Sequence, residues 1–224
     1  MSDERPLITL VEACIESGPS VTEPLTASGG TRLVALIGYF SPLFRLLRTE
    51  DRLRSGVVQF LGVPLLEALD SGLLALASRE APSASWTLER YLLEGARLAG
   101  LPRRAAKERA SSELSGFGLI GQARRRLAEL PPSARRVASL ARASLTRARV
   151  VCSEAPLSEL DPPGEAVVIA ALERIATERA LIVSFPATPT DGIAKSLVER
   201  ADYRIEISRG RVLGIETGTG TAPT

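Results

Sequence analysis

Short apolar runs separated by amphipathic stretches extend along most of this chain, which is the order typical of an α/β protein. The run TRLVALI at 31–37 is apolar enough to predict a central strand of a parallel sheet. Residues that favour turns are concentrated at 17–20 and 26–30. The remaining predicted strands lie at 6–15, 57–61, 73–77, 150–154 and 179–185, with a hairpin at 201–214 around Arg209 and Gly210.

Apolar residues recur at helical spacing between these strands. The longest such segment is 86–119, in which Gly100, Leu101 and Pro102 end the first helix. One face of that first helix carries Leu88, Tyr91, Leu92, Gly95 and Leu98. A helix and the turn after it are predicted together at 43–56. Further helical segments are predicted at 86–119, 133–149, 165–176 and 193–200.

The stretch from 133 to 163 has a distinctive order of parts. A helix rich in Ala and Arg, SARRVASLARASLTRAR at 133–149, leads into the apolar strand VVCSE, and the loop APLSELDPP follows. This order resembles the second half of an ATP-binding cassette (ABC) transporter ATPase. There the same parts are the helix after the signature LSGGQ, the Walker B strand, and a loop ending in Leu-Asp-Pro. The resemblance extends over roughly 6–214.

The resemblance implies an α/β fold of the P-loop NTPase (ABC ATPase) kind. Such a fold has a RecA-like core sheet flanked by helices, an N-terminal antiparallel β part and a helical subdomain. It implies one domain over 1–224, with core segments at 6–85 and 145–214 and a helical subdomain at about 86–142. The segment 215–224, rich in Gly and Thr, is predicted to be a disordered tail.

The loop after the strand at 31–37 lacks the groups that hold a phosphate. In the family, GxxxxGK[ST] starts at the position of Gly38, and its N–H groups and Lys surround the nucleotide phosphates. Here only Tyr39, Phe40, Ser41 and Pro42 precede the predicted helix, so the loop has no Lys and is about four residues short. Bulky residues at 39 and 40 disfavour the positive φ that a phosphate nest needs, and Pro42 removes a donor. A simple strand-to-helix connection is the favoured interpretation.

Other residues that serve the nucleotide in the family are replaced as well. The resemblance places Ser78 where the family has a Gln that contacts the metal and the membrane subunit. It places Phe185 and Pro186 where the family has a His, and the chain contains no His. Pro131 and Pro132 stand in place of the two signature glycines and abolish two N–H donors.

At the Walker B end, Glu154 occupies the position of the family's metal-ordering Asp, and Ala155 that of its catalytic Glu. Loss of a general base alone lowers a rate by about 10²–10⁴. Glu154 could hold a metal, but a carboxylate at a strand end more often accepts backbone N–H bonds, and we expect the latter. The family's adenine-stacking aromatic falls near Ser17, so the base platform is missing too.

The loop Ser158-Glu159-Leu160-Asp161 keeps the Ser, Leu and Asp of the family's dimer-contact loop and is its best-preserved functional remnant. No catalytic residue, no cofactor and no cofactor-binding or metal-binding residue is therefore expected. Six positions are vestiges of a nucleotide site: Gly38, Ser78, Glu154, Ala155, Phe185 and Pro186.

These replacements predict a catalytically inactive ABC ATPase-like subunit, a structural or regulatory partner of an active ABC ATPase, of an integral-membrane permease, or of both. Docking on a permease would use the helical subdomain. The expected location is cytoplasmic, peripheral at the inner face of the membrane. Two alternatives stay open: a divergent subunit that still binds ATP in a heterodimer, and a binding module that uses the Arg-rich helix for an anionic polymer.

Composition adds little to this prediction. The formal net charge of +2 gives no overall attraction to nucleic acid. A solvated helix face, or a surface for an acidic partner, is the favoured interpretation of the arginines at 124–149. Cys14 and Cys152 are too few for a disulfide framework or a zinc site. No apolar run reaches the ~18 residues of a membrane span, so direct membrane insertion is not expected.

Overall fold

A six-stranded sheet crosses the centre of the fold in the computed structural model, which describes residues 6–15, 25–27, 31–38, 40–78, 84–208 and 211–217. The strands are β1 Ile8–Ile15, β2 Leu25–Ala27, β3 Leu33–Gly38, β4 Leu53–Phe60, β5 Val63–Pro64, β6 Leu74–Ala77, β7 Val150–Ser153, β8 Ala180–Phe185, β9 Tyr203–Ser208 and β10 Arg211–Thr217. The helices are α1 Ser41–Leu47, α2 Leu65–Asp70, α3 Leu88–Leu98, α4 Arg103–Gly116, α5 Pro132–Ser144, α6 Pro162–Glu178 and α7 Gly192–Glu199.

The six-stranded sheet has the order β10-β9-β3-β8-β7-β6, and its inner pairs are parallel. Only β10 runs antiparallel, in a hairpin with β9. The register places Ile37 opposite Phe185, and Ser153 opposite both Ala77 and Val183. The carboxyl ends of β3, β6, β7 and β8 therefore lie along one edge of the sheet, where open α/β sheets bind ligands.

A second sheet, with the order β2-β1-β4-β5, is antiparallel in every pair. This sheet and α1 cover one face of the six-stranded sheet, while α3 to α6 cover the other. Alternate residues of β3 show the division, because side chains of a strand point to opposite faces. Leu33, Ala35 and Ile37 belong to the core beneath the helices, whereas Val34 and Leu36 belong to the core beneath the antiparallel sheet.

The predicted α/β fold with an antiparallel β part and helices at 86–142 is confirmed, and several element boundaries are corrected. β4 begins at Leu53 rather than 57, because Ser55 pairs with Cys14 and Gly56, at φ 84°, lies at an irregularity of the strand rather than in a turn. Part of the turn predicted at 26–30 is strand β2, in which Thr26 pairs with Thr9. The sequence prediction missed β5 and α2 altogether.

The C-terminal ends of two predicted elements also differ. α5 ends at Ser144 rather than at 149, since the Arg179 side chain donates to the carbonyls of Ala143, Ser144 and Ala148. Strand β10 continues through Thr217, so the first three residues of the predicted tail are in a sheet. The rest of that tail, and the turn at Arg209 and Gly210, lie outside the described residues.

Candidate functional site at the carboxyl edge of the sheet

The predicted vestigial positions meet at the carboxyl edge of the six-stranded sheet. Gly38 ends β3, Ser78 follows β6, Glu154 follows β7, and Phe185 ends β8. Strand register brings these four chain positions to the same end of neighbouring strands. What their side chains do there differs from one position to the next.

The connection from β3 to α1 is a tight turn. Gly38 has φ 111°, a conformation open mainly to glycine, and the Phe40 N–H donates to the Gly38 carbonyl at 3.1 Å. Phe40 is 3% exposed and precedes the first residue of α1, which has a Pro in its first turn. The Phe40 N–H is therefore engaged within the turn, and its ring belongs to the core beneath the antiparallel sheet. Tyr39 lies outside the described residues.

Glu154 is paired with a cation of its own chain. Its Oε2 accepts from the guanidinium of Arg48, the residue that caps the C-terminus of α1, and the Arg48 Nε lies 3.0 Å from Glu50 Oε2. Both members of the pair are about four-fifths buried, at 23% and 18% side-chain exposure. Partial burial would lower the pKa of Arg48, but its hydrogen bonds to Glu154 and Glu50 outweigh burial and raise it. The expectation that Glu154 accepts backbone N–H bonds is corrected: its partner is a guanidinium.

Ala155, which the sequence resemblance places where a catalytic Glu would be, has no side chain that can accept a proton. Its φ of 40° lies in the left-handed region, and its N–H donates to Ser184 Oγ at 3.0 Å. Ser184 is 4% exposed and is the last residue but one of β8. Sequence reasoning missed Ser184 and Arg48. The signal for Ser184 was a lone polar residue in an apolar strand, whereas Arg48 is not distinguished from the other arginines of its helix.

Phe185 and Pro186 place no polar group at the edge. The Phe185 ring is 4% exposed and belongs to the core beneath the helices, and Pro186 is exposed. Ser78 is half-buried at the end of β6, and the segment after it, 79–83, lies outside the described residues.

The predicted dimer-contact loop forms a compact turn ahead of α6. The Ser158 N–H donates to the Ala155 carbonyl at 3.2 Å, and Glu159 is exposed with φ 64°. Asp161 is the N-cap of α6, since its Oδ1 accepts from the Gly164 N–H at 3.0 Å. Leu160 packs against the core beneath the helices. Asp161 thus has a structural task within this chain.

The two prolines that the sequence resemblance places at the signature position begin α5. Pro131 is the N-cap and Pro132 the first helical residue, and both are exposed. Proline suits this position because its missing N–H would have no partner inside the helix. The start of α5 lies beside the start of α6, where a Cβ built on Gly164 would come 3.3 Å from Ser133 Cβ.

The arginines of 124–149 do not form one solvated face, which corrects that interpretation. The guanidinium of Arg142 lies 4.6 Å from the centre of the Tyr91 ring, and Arg136 is 9% exposed. Arg147 and Arg149 are exposed, beyond the end of α5. Some of these side chains therefore serve packing, and the others point to different parts of the surface.

A groove of about 810 Å³ lies among α3, α4 and the short 3₁₀ helix at 120–122. Its inner wall includes Ala110 and Leu114, both buried, and Ile120 at its side is 64% exposed. Its polar lining is mainly basic: Glu89, Arg103, Arg104, Lys107 and Arg124. The groove therefore offers an apolar wall with a positive rim.

Metal binding needs several ligands close together, and membrane insertion by a helix needs a long apolar helix. Among the described residues, no three His, Cys, Asp or Glu side chains are grouped as a metal would need. No described helix is both long and apolar enough to cross a bilayer.

The comparisons with known proteins identify the fold. No protein-family profile matches the sequence, and no curated protein matches it. Among solved structures, CbiO1 of Clostridium perfringens, part of the ABC transporter complex CbiONQ, superposes with a TM-score of 0.76 at 16% identity, over 96% of this chain and 89% of that one. An inward-facing metal-chelate type ABC transporter superposes with a TM-score of 0.74 at 14% identity, over 95% of this chain and 83% of that one. The chain thus has the fold of ABC transporter ATPase subunits, a P-loop NTPase fold.

Proposed function

We propose that this chain is a non-hydrolysing ABC ATPase-like subunit, which acts as a structural or regulatory partner of an active ABC ATPase, of a membrane permease, or of both. One observation carries the proposal: the acid at the end of β7 is bound by Arg48 of the same chain. In the position where the family orders a metal, the Glu154 carboxylate already has a cation.

The neighbouring groups support the same conclusion. Phosphoryl transfer depends almost entirely on positioning and on stabilising charge, so each positioning group matters. The general-base position is Ala155, the signature position has prolines, and the turn after Gly38 is closed by its own hydrogen bond. The positive guanidinium of Arg48 would also repel a divalent cation that approached Glu154.

The groove among α3, α4 and 120–122 is the surface we assign to the partner. Its apolar wall and basic rim fit an amphipathic helix with acidic flanks, such as a cytoplasmic loop of a permease. The exposed Ile120 gives that helix an apolar contact. The two structural neighbours are described as an ABC transporter and as part of an ABC transporter complex, which fits a subunit of an assembly.

Catalysis is tested with phosphate release from ATP and magnesium by the purified chain, and with crystals soaked in both. We expect no release above that of a sample without protein, and no nucleotide density beside Gly38. Density beside Gly38, or hydrolysis by the chain alone, would contradict the proposal. The crystal structure shows where a nucleotide binds, so a nucleotide bound elsewhere on the surface would not be mistaken for one beside Gly38.

Partner docking is tested by affinity purification from membranes of the native host. We expect a membrane subunit or an active ABC ATPase among the proteins retained. The Lys107→Glu variant reverses a charge on the groove and should lose the partner. Arg52→Glu, an equal reversal at an exposed position just before β4, should keep it. Recovery of neither class of protein would count against the proposal.

A further inference from the structure

A second cavity opens at the amino edge of the six-stranded sheet, the end opposite Gly38 and Glu154. Its volume is about 430 Å³. The segment before β3, the connection from α5 to β7, and the junction of α6 with β8 form three of its walls. Leu7 and Leu61, which flank strands of the antiparallel sheet, contribute apolar surface. None of these residues belongs to the vestigial nucleotide site.

The charged lining of this cavity is strongly positive. Among the described residues, Arg32, Arg147, Arg149 and Arg179 line it, and Glu178 is the acid that lies with them. A concave surface lined by one sign of charge concentrates its field and attracts counter-ions. The chain as a whole carries a formal net charge of only +2, so the four arginines are a local feature.

Backbone hydrogen bonds fix the walls that carry these arginines. The Leu181 N–H donates to the Arg32 carbonyl at 2.7 Å, and the Ala180 N–H to the Arg149 carbonyl at 3.1 Å. Arg32 and Leu33 in turn donate their N–H groups to Asp202 Oδ2, each at 2.8 Å. The arginines therefore start from a backbone that is already ordered, which lowers the entropic cost of binding.

Arg179 forms the rigid part of the lining. Its guanidinium is held by carbonyls at the end of α5, the shortest bond being 2.7 Å from Nη2 to the Ser144 carbonyl. Partial burial lowers the pKa of Arg179. A nearby anion would offset that cost of burial, so the fixed charge favours an anionic ligand.

We propose that this cavity binds a small phosphate-bearing anion, either a condensed phosphate or a phosphate ester. Planar guanidinium groups match the oxygens of phosphate in pairs, which an ammonium group does not. The volume lies within the range of small-molecule sites, about 300–1,000 Å³, and a duplex nucleic acid is too wide to enter it. The leucines beside the arginines give room for the apolar part of an ester.

The probe is inorganic pyrophosphate, titrated into the full chain by calorimetry at two salt concentrations. We expect one site per chain, and affinity that weakens as salt rises. The double variant Arg147→Gln/Arg149→Gln should bind at least about tenfold more weakly, because it removes two guanidinium groups that would hydrogen-bond to the phosphate oxygens. Its matched control is Arg103→Gln/Arg104→Gln, which removes the same charge from α4 and should bind as the wild type does.

A gain of affinity gives a readout that misfolding cannot imitate. Glu178→Gln removes the acid found in the described part of the lining and should tighten pyrophosphate binding by about two- to tenfold. No binding by the wild type, an equal loss in both double variants, or tighter binding of duplex RNA than of pyrophosphate would overturn the proposal. If ATP binds the wild type but not Arg147→Gln/Arg149→Gln, the ATP occupies this cavity. Such a result does not affect the proposal that the chain does not hydrolyse ATP.

Discussion

At the scale of single residues, the pair of Glu154 and Arg48 decides how the carboxyl edge is interpreted. The two residues are separated by 106 positions in the sequence, and nothing local to either one indicates the other. From sequence, the lack of Lys in the loop after Gly38, the lack of His in the chain and the Ala at 155 could be identified. The guanidinium that pairs with Glu154 could not, because the pairing depends on where the end of α1 lies relative to the end of β7.

Replacing Glu154 by Gln should destabilise the fold by about 1–2 kcal/mol, since Arg48 would lose one partner of a mostly buried pair. Urea unfolding measures this. The matched control is Glu108→Gln in the pair of Arg104 and Glu108, whose side chains are 93% and 67% exposed. The control should change stability by less than about 0.5 kcal/mol. Equal effects of the two variants would show that the Glu154 pair has no special weight.

Cys152 gives a prediction with a defined pH window. Burial raises the pKa of its thiol from 9.0 to about 12. Between these two values the unfolded chain releases a proton that the folded chain keeps, so stability present below pH 9.0 should fall as the pH rises toward 12. In a Cys14→Ser background, iodoacetamide at pH 8.5 should leave the native thiol unmodified and label it after unfolding. Rapid labelling of the native protein would contradict this burial.

At the scale of elements, two arginines each lie against a glycine and over an aromatic ring. Arg142 of α5 lies against Gly95 and over Tyr91, and Arg174 of α6 lies against Gly116 with its guanidinium 4.9 Å from the Phe117 ring. These contacts join α3 and α4 to the helices that cover the sheet. At both positions the neighbouring arginine side chain occupies the space that a Cβ would need, which explains why glycine stands there.

The Gly95→Ala variant tests this contact, because a Cβ at 95 would come 2.8 Å from Arg142 Cγ. Despite the gain in helix propensity, we expect a loss of about 1 kcal/mol in the free energy of unfolding. In an Arg142→Ala background the same change should instead stabilise, by up to about 1 kcal/mol. Gly121→Ala, which meets nothing within 4 Å, is the control and should be near neutral. The same sign in both backgrounds would contradict the steric explanation.

Elements were predicted well where a periodic pattern was long, and poorly where it was short. The strands β3, β7 and β8 and the helices α3 to α6 follow from apolar runs and helical spacing. The element α2, with two buried residues in Leu65 and Ala68, is too short for its period to be detected. The predicted apolar face of α3 is wrong at one position, since Leu98 is 77% exposed rather than part of the buried face.

At the scale of the whole molecule, the helices and the central sheet share one core. Leu88 of α3, Val137 of α5 and Val151 of β7 belong to the same buried cluster. The α/β order was predictable from apolar runs and helical spacing, and the resemblance to ABC ATPases indicated the kind of fold. The positions that meet at the carboxyl edge were also predicted, but their side-chain partners Arg48 and Ser184 were not, because these meet Glu154 and Ala155 across long sequence separations.

A shared core predicts cooperative unfolding. Trp86, the only tryptophan, packs against this cluster at the start of α3 and reports on that part of the molecule. Its fluorescence and the far-ultraviolet circular dichroism of the whole chain should therefore have coincident urea midpoints. An earlier midpoint for Trp86 would mean that α3 and α4 unfold separately from the sheet.

The scarcity of lysine beside so many stacked guanidinium groups has a practical consequence for labelling. Only Lys107 and Lys195 carry side-chain amines, and Lys107 lies on the rim of the groove among α3 and α4. Apart from the α-amine at the N-terminus, an amine-reactive cross-linker would thus attach to this chain at Lys107 beside that groove or at Lys195 on α7. In a Lys195→Arg background, a covalent product with a bound protein would show directly which of its segments sits there.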